Sequence, residues 1–321
     1  MDSLLGIALV ILSAAAFGAL PILGRYAYAD GMDALTILFL RFTLAAALMA
    51  LWLTIRRERL PRGPVFWRLV GMGALGYIGQ SFAFFTALRY ASAGLVSLLL
   101  YLYPVFVALL AVLLLHEPFT RIKGGALIIA VIGVALTAGP LQGQVLGIAL
   151  AITAAAIYSV YIVIGANVLR KTSSLQSSAV IFAAAGLSAG SLMLINGPQF
   201  PSTTRGWMAI FAMVLIATLI AVVTFLAGLQ RIGPTNAAML STLEPVITVL
   251  LASWLLHETL SATSLLGGGL ILAAVLLLTI GELRHRQPAG AAPHPDSAPE
   301  AFSKPETLLA SGVEDHNQEP I

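Results

Sequence analysis

Glu244 stands inside the apolar run "LSTLEPVITVLL" at residues 240–251. A carboxyl group in such surroundings is expensive to keep charged, so it takes up a proton, meets a cation or hydrogen-bonds a neighbour. On a helix Ser241 (i−3) and Thr248 (i+4) share its face, which makes one polar stripe. Two readings stand from these residues alone. Glu244 is a proton-titrating or substrate-ammonium-binding group, or it is a carboxyl hydrogen-bonded across helices beside Pro245.

All eight tyrosines precede residue 162. Tyr77, Gln80, Ser81 and Phe84 follow i, i+3, i+4, i+7 spacing, which gives one helix face that is aromatic and hydrogen-bonding at once. Tyr158 and Tyr161 repeat that pattern, and Tyr101 and Tyr103 lie in another apolar segment. Such surfaces suit an amphipathic organic solute better than a bare ion, unless the hydroxyls simply bond neighbouring helices. Arg41 lies inside an apolar segment as well; it snorkels outward, pairs with Glu244 or meets a substrate carboxylate.

Other chemistries are excluded. Cysteine is absent, which removes disulfides, thiolate metal sites and cysteine nucleophiles. Gly71, Gly73 and Gly76 satisfy G-x-G-x-x-G, but a dinucleotide fingerprint needs a preceding strand, and these glycines lie in an apolar segment where small residues allow close helix packing. There is no Walker A sequence, no H-E-x-x-H and no G-x-S-x-G. The expectation is no enzyme, no cofactor, no metal and no ATP. His116-Glu117 and His257-Glu258 fall at opposite faces of the membrane by the topology below, so helix capping or loop anchoring fits them better than one metal site.

The elements that position these residues follow from composition. Of 321 residues, 59% are apolar and 10% charged, against roughly 45–50% and about 25% in soluble domains. Windows of about 19 residues, enough to span a hydrocarbon core about 30 Å thick, cover most of residues 4–281. Ten segments can be cut: 4–23, 34–55, 67–88, 93–115, 121–139, 145–169, 176–195, 207–229, 235–256 and 262–281. The first begins Met1-Asp2-Ser3 without a basic leader and reads as a retained helix.

With the N-terminus inside, the cytoplasmic loops receive basic residues such as Arg56, Arg57, Arg121, Lys123, Arg170, Lys171 and Arg231, and the outside only Arg25, Arg89 and Arg205, as the positive-inside rule requires. Trp52, Trp67, Trp207 and Trp254 lie near segment ends, where amphipathic rings prefer the interface. Beyond Arg286 the chain turns acidic and rich in Pro, Ala and Ser, the composition of a disordered cytoplasmic tail (282–321). The basic excess is thus topological and implies no nucleic-acid partner.

A repeat organises the segments. At one fixed offset "LLLYLYPVFVALLAVLLLHE" (98–117) lies on "MLSTLEPVITVLLASWLLHE" (239–258), superposing Pro104 on Pro245. Over 87–119 against 228–260, twelve of thirty-three positions are identical. An offset shorter by one lays "SAAAFGALPIL" (13–23) on "TAAAIYSVYIV" (153–163). Each unit holds five segments, an odd number, so the halves enter the membrane from opposite sides. Inverted repeats are the organisation of secondary transporters, with the solute near the midplane between halves; a duplication that merely stabilises a bundle is the alternative. Pro104 and Pro245 sit mid-segment and kink or break their helices, as gates or as static bends.

These residues resemble the drug/metabolite transporter superfamily, and within it the EamA-type ten-helix permeases. The resemblance is carried by "LYPVFVALLAVLLLHE", "LEPVITVLLASWLLHE", "LRFTLAA" (40–46) and the small residues of the first segment. Two tandem EamA-like units are implied, 4–139 and 145–281. The functional likeness is to bacterial amino-acid exporters of the YddG kind. The resemblance implies an all-α inner-membrane protein with both termini cytoplasmic, segments 1, 3, 4, 6, 8 and 9 around a central cavity, and segments 5 and 10 peripheral. It also implies export of small amphipathic metabolites, amino acids foremost, or alternatively multidrug export, by a monomer in the lipid bilayer. The expected substrate cavity comprises Tyr77, Gln80, Ser81, Phe84, Tyr101, Tyr103, Tyr158, Tyr161, Ser241, Glu244 and Thr248.

Overall fold

The computed structural model describes residues 2–115, 119–138, 144–169 and 172–286, and all regular structure among them is helical. In chain order the α-helices are α1 (Asp2–Gly18), α2 (Leu20–Ala29), α3 (Ala34–Ile55), α4 (Pro64–Gly71), α5 (Ile78–Tyr90), α6 (Ala93–Leu100), α7 (Tyr103–Leu115), α8 (Arg121–Ala138), α9 (Val145–Leu169), α10 (Ser174–Asn196), α11 (Thr204–Val214), α12 (Ala221–Ser241), α13 (Leu243–Leu256) and α14 (Ala262–Arg286). Among the described residues eight helical stretches are long and apolar enough to cross a membrane, and Leu243–Leu256 is a shorter apolar helix. The four tryptophans, near helix ends, are all exposed, as rings at a bilayer interface should be.

Three interruptions divide long helices: at Ala19 between α1 and α2, at residues 101–102 between α6 and α7, and at Thr242 between α12 and α13. A proline follows each one. Pro21 and Pro104 are second in α2 and α7, and Pro245 is third in α13. A first-turn N–H has no intrahelical partner, so proline is tolerated there, whereas the carbonyls before the break lose theirs.

Two π-helical turns, Met72–Tyr77 and Leu215–Ile220, thicken the helices that join α4 to α5 and α11 to α12. In the repeat alignment that places Pro104 on Pro245, the first turn falls on 213–218, so both repeat units widen at nearly one level. In the second, the Thr218 hydroxyl donates to the Met213 carbonyl at 3.0 Å, five residues back. Such turns often mark functional positions.

One expected boundary is corrected. The segments cut at 207–229 and 235–256 are not separated by a loop, because α12 runs unbroken from Ala221 to Ser241. In the first half Ser92 starts α6, its hydroxyl accepting from the Leu95 amide at 3.3 Å. Its mate in the second unit is Gly233, which has no side chain to cap a new helix.

Packing exchanges partners between the units. The α1 helix lies along α12 as α5 lies along α9, α13 meets α1 as α6 and α7 meet α9, and α3 packs on α10 and α6 on α13. Glycines show the exchange atom by atom. A Cβ on Gly6 would sit 2.8 Å from the Arg231 Cβ, and one on its repeat mate Gly147 would sit 2.6 Å from the Ala91 Cβ and 3.0 Å from the Tyr90 carbonyl carbon. Tyr90 and Ala91 are the mates of Arg231 and Ile232. The α8 helix meets α14, where a Cβ on Gly133 would lie 2.8 Å from the Gly267 oxygen.

The neighbouring glycines of the G-x-G-x-x-G stretch are therefore separable. A Cβ at Gly73 would collide with the Ile181 carbonyl and stand 3.0 Å from the Ala184 Cβ, whereas nothing lies within 4 Å at Gly71. Gly73→Ala is expected to cost about 1–3 kcal/mol through overpacking, and Gly71→Ala to be neutral or to stabilise by ~0.5–1 kcal/mol. Melting temperatures of the two purified variants in detergent check this; equal shifts would contradict it.

Candidate functional site

The break between α6 and α7 turns Tyr101 toward the break between α12 and α13. Its hydroxyl donates to the Ser241 carbonyl at 2.5 Å and lies 3.1 Å from Glu244 Oε2. One phenolic proton cannot serve both acceptors fully. A protonated Glu244 can itself donate to the Tyr101 oxygen, while an ionised one competes with the Ser241 carbonyl for the same hydrogen. The protonation of Glu244 is thus tied by geometry to the break beside it.

A second tie closes the break in the first span. The Thr248 hydroxyl, fully buried, lies 3.0 Å from the Gly18 oxygen and 3.1 Å from the Glu244 oxygen, and it accepts from Ser97 Oγ at 3.2 Å. Gly18 ends α1, so its carbonyl is one that the broken helix leaves without an amide partner.

These breaks enclose a cavity of about 130 Å³. A water needs roughly 10–15 Å³ of such space, so the cavity has room for a small solute with water around it. Phe17, Leu20 and Pro21 line it from α1 and α2, Tyr77, Gln80, Ser81 and Phe84 from the third span, Ser97, Tyr101 and Tyr103 from α6 and α7, Tyr158 from α9 and Glu244 from α13. Ser81 Oγ donates to Gln80 Oε1 at 3.1 Å, both residues being buried.

The aromatic rings form a continuous belt. Ring centroids are 5.8 Å apart from Tyr101 to Tyr103, 4.9 Å from Tyr103 to Tyr158, 5.9 Å from Tyr158 to Tyr161 and 5.7 Å from Tyr161 to Tyr77. Separations of this order suit edge-to-face and offset contacts.

Of the expected residues, Tyr77, Gln80, Ser81, Phe84, Tyr101, Tyr103, Tyr158 and Glu244 meet at this cavity. Tyr161 stands one ring behind it, Ser241 contributes a carbonyl to Tyr101, and Thr248 is a buried joint between helices. Pro104 and Pro245 open α7 and α13 and do not line it. The expected stripe of Ser241, Glu244 and Thr248 on one helix is corrected by the break at Thr242, which puts Ser241 on another segment.

Arg41 was not among the expected cavity residues, yet it lines the cavity at 3% exposure, so it does not snorkel outward. Its Nε donates to Thr218 Oγ1 at 3.1 Å, and its guanidinium carbon lies 5.1 Å from the Phe42 ring centroid and 5.9 Å from that of Phe85. The sequence signal was present in Arg41 itself, an arginine well inside an apolar segment. Ser97 was missed; it lies one turn before Tyr101 on the same face.

Away from the cavity, carboxylates tie helix ends together. Glu258 caps α6, accepting from the Ala93 amide at 2.9 Å and the Gly94 amide at 3.4 Å, and Arg25 Nε stands 3.8 Å from it. Arg25 also donates to the Leu88 carbonyl at 2.8 Å. His257 adopts the left-handed conformation (φ 53°) that ends α13 and lets Glu258 turn back. The other pair, His116-Glu117, lies outside the described residues. Asp30, just past α2, accepts from the Thr203 hydroxyl and the amides of Thr203 and Ser202. The Thr203 hydroxyl above all holds its carboxyl below the ordinary value of 3.8.

The chain matches the sequence profile of the EamA-like transporter family twice, over residues 4–139 and 145–280. It is 24% identical over 283 residues to an uncharacterized transporter, YcbK, of Bacillus subtilis, covering 82% of this chain and 89% of that protein. An uncharacterized transporter of Archaeoglobus fulgidus is 26% identical over 274 residues, covering 85% of this chain and 95% of its own length. A solved crystal structure, 21% identical, shares the fold at a TM-score of 0.62 over 87% of this chain and 97% of its own.

Removing the Glu258 cap by Glu258→Ala is expected to cost about 0.5–2 kcal/mol, with Glu258→Gln losing less because an acceptor oxygen remains. Melting curves check this, and an alanine variant as stable as the native chain would contradict it. Because Asp30 titrates lower in the folded state, its tie is fully present above 3.8 and is lost as pH falls through the depressed value. Amide exchange at Ser202 and Thr203 is therefore expected to rise only on the acid side of that value.

Proposed function

The chain belongs to the EamA-like transporter family, and from that premise we propose that it is a secondary transporter of small amphipathic metabolites working by alternating access. Amino acids, aromatic ones included, are the favoured solutes. The observation that carries this reading is the cavity itself, in which a tyrosine belt and the Glu244 carboxyl meet beside breaks in three helices. Aromatic faces take an apolar side chain or an ammonium group, and Glu244 offers a counter-charge or a proton acceptor.

In this reading ten segments cross a bacterial inner membrane as two inverted repeats with both termini cytoplasmic, counting α8 and the broken α12–α13 pair with the eight membrane-length stretches. The exchange of packing partners at one constant offset supports a two-fold relation between the units. Direction is outward. Pro104 and Pro245 act as paired hinges, bending where each helix has already lost a backbone hydrogen bond. The Glu258 cap and the Arg25 contact, which tie α6, α13 and α2 together, fall in this reading at the extracytoplasmic end.

The Glu244 carboxyl among aromatic rings also favours a second reading, a multidrug permease for organic cations. Flux into proteoliposomes under imposed pH gradients, with a panel of neutral amino acids and cationic drugs, separates the two. Neutral amino acids are expected to move in preference. Glu244→Gln is expected to lower their flux about tenfold or to abolish its pH dependence; unchanged flux and pH dependence would reduce Glu244 to a structural carboxyl. Movement of none of the panel under either gradient would refute transport of these solutes. Pro104→Ala and Pro245→Ala are expected to slow flux at unchanged protein level, and intact rates in both would remove the hinge.

A further inference from the structure

We propose that Arg41 is the anchor for a carboxylate on the transported solute, so that the cavity selects carboxylate-bearing amphipathic molecules over purely cationic ones. The inference rests on the transporter reading above and names the chemical class of its solute.

A guanidinium stripped of water is costly unless an anion or a set of acceptors meets it. Arg41 is 3% exposed, on a helix that spans the membrane core. Among the described residues no carboxylate lies within 4.0 Å of it; the one ion pair found there joins Arg25 to Glu258. Glu244 lines the same cavity without pairing with it. The polar groups beside Arg41 are hydroxyls, those of Thr218 and Tyr77. The guanidinium is therefore held in place without a carboxylate partner among the described residues.

The way it is held prepares it for an anion. Phe42 and Phe85 flank the guanidinium, and Thr218 engages Nε. Thr218 can accept from Arg41 because its own proton goes to the Met213 carbonyl, a bond that exists through the π-helical turn at Leu215–Ile220. Ring contacts and the Nε bond fix the plane of the fork, and a fixed fork is what carboxylate recognition through two parallel N–H donors requires. Thr218 is in this sense a positioning residue for Arg41.

The tyrosine belt meets this guanidinium at Tyr77, whose ring lies 5.3 Å from that of Phe42. A solute with an aromatic body and a carboxylate end matches that order of surfaces. An amine with the same body lacks the group that would neutralise Arg41 and leaves its cost unrelieved.

The test is proteoliposome flux of phenylalanine against phenethylamine, which share the phenyl ring and the ammonium and differ in the carboxylate. The native protein is expected to favour phenylalanine by about tenfold or more, the factor that roughly 1.4 kcal/mol supplies. Arg41→Gln is expected to raise the KM for phenylalanine about tenfold or more and so to erase the preference over phenethylamine, with Arg41→Lys intermediate and Thr218→Val in the same direction. A native preference retained by Arg41→Gln would overturn the anchor while leaving transport intact. Movement of neither compound by the native protein would instead overturn the reading on which the anchor rests. If Arg41→Gln fails to fold, competition on the native protein decides: phenylalaninamide inhibiting phenylalanine flux as strongly as unlabelled phenylalanine would overturn the proposal, and markedly weaker inhibition would support it.

Discussion

A helix interrupted inside a membrane exposes carbonyls that lipid cannot satisfy. The structure answers this constraint with side chains from the other interruptions. The Ser241 carbonyl, left at the end of α12, takes the Tyr101 hydroxyl from the break in the preceding repeat. The Gly18 carbonyl, left at the end of α1, takes the Thr248 hydroxyl from the helix that begins after Thr242. The breaks at Ala19 and Thr242 are thus each tied to residues beside another break. The cavity is the space these breaks surround, and its polar groups are the ones that tie them.

The same geometry explains why two similar halves make an unequal site. Sequence similarity places Pro104 on Pro245 and, one residue earlier, Tyr103 on Glu244. The backbone device is thus duplicated and its chemistry is not. Most of the aromatic surface comes from the first unit, with Tyr158 and Glu244 from the second. Between them, a hydroxyl proton shared by a carbonyl and a carboxyl links the charge of Glu244 to the hydrogen bonding of its own helix break.

Much of this was legible in the sequence because the physics is local. Long apolar windows, prolines inside them and a nearly constant repeat offset depend on nothing beyond the chain's own order, and the helices fall on nearly all the cut segments. The tyrosine faces were legible because helical spacing alone puts Tyr77, Gln80, Ser81 and Phe84 on one side. What the sequence concealed depends on partners distant in the chain. The direction of Arg41 is set by Thr218, from the opposite repeat unit, and by a π-helical turn that no periodicity announces. Thr248 reads as a member of a polar stripe until the end of α1 is seen against it. The linker near residue 233 carries turn-forming residues, yet the helix continues through it.

Alternating access, as proposed above, requires that the cavity between the breaks be reached from the two sides of the membrane in turn. The absence of cysteine makes this directly measurable. Ser97 lines the cavity, so a Ser97→Cys variant carries a single thiol there. Membrane-impermeant thiol reagents applied from one side or the other of oriented vesicles should label it from both, in proportions that shift when a transported solute is added or the pH gradient is reversed. Labelling from one side alone under every condition would contradict alternating access.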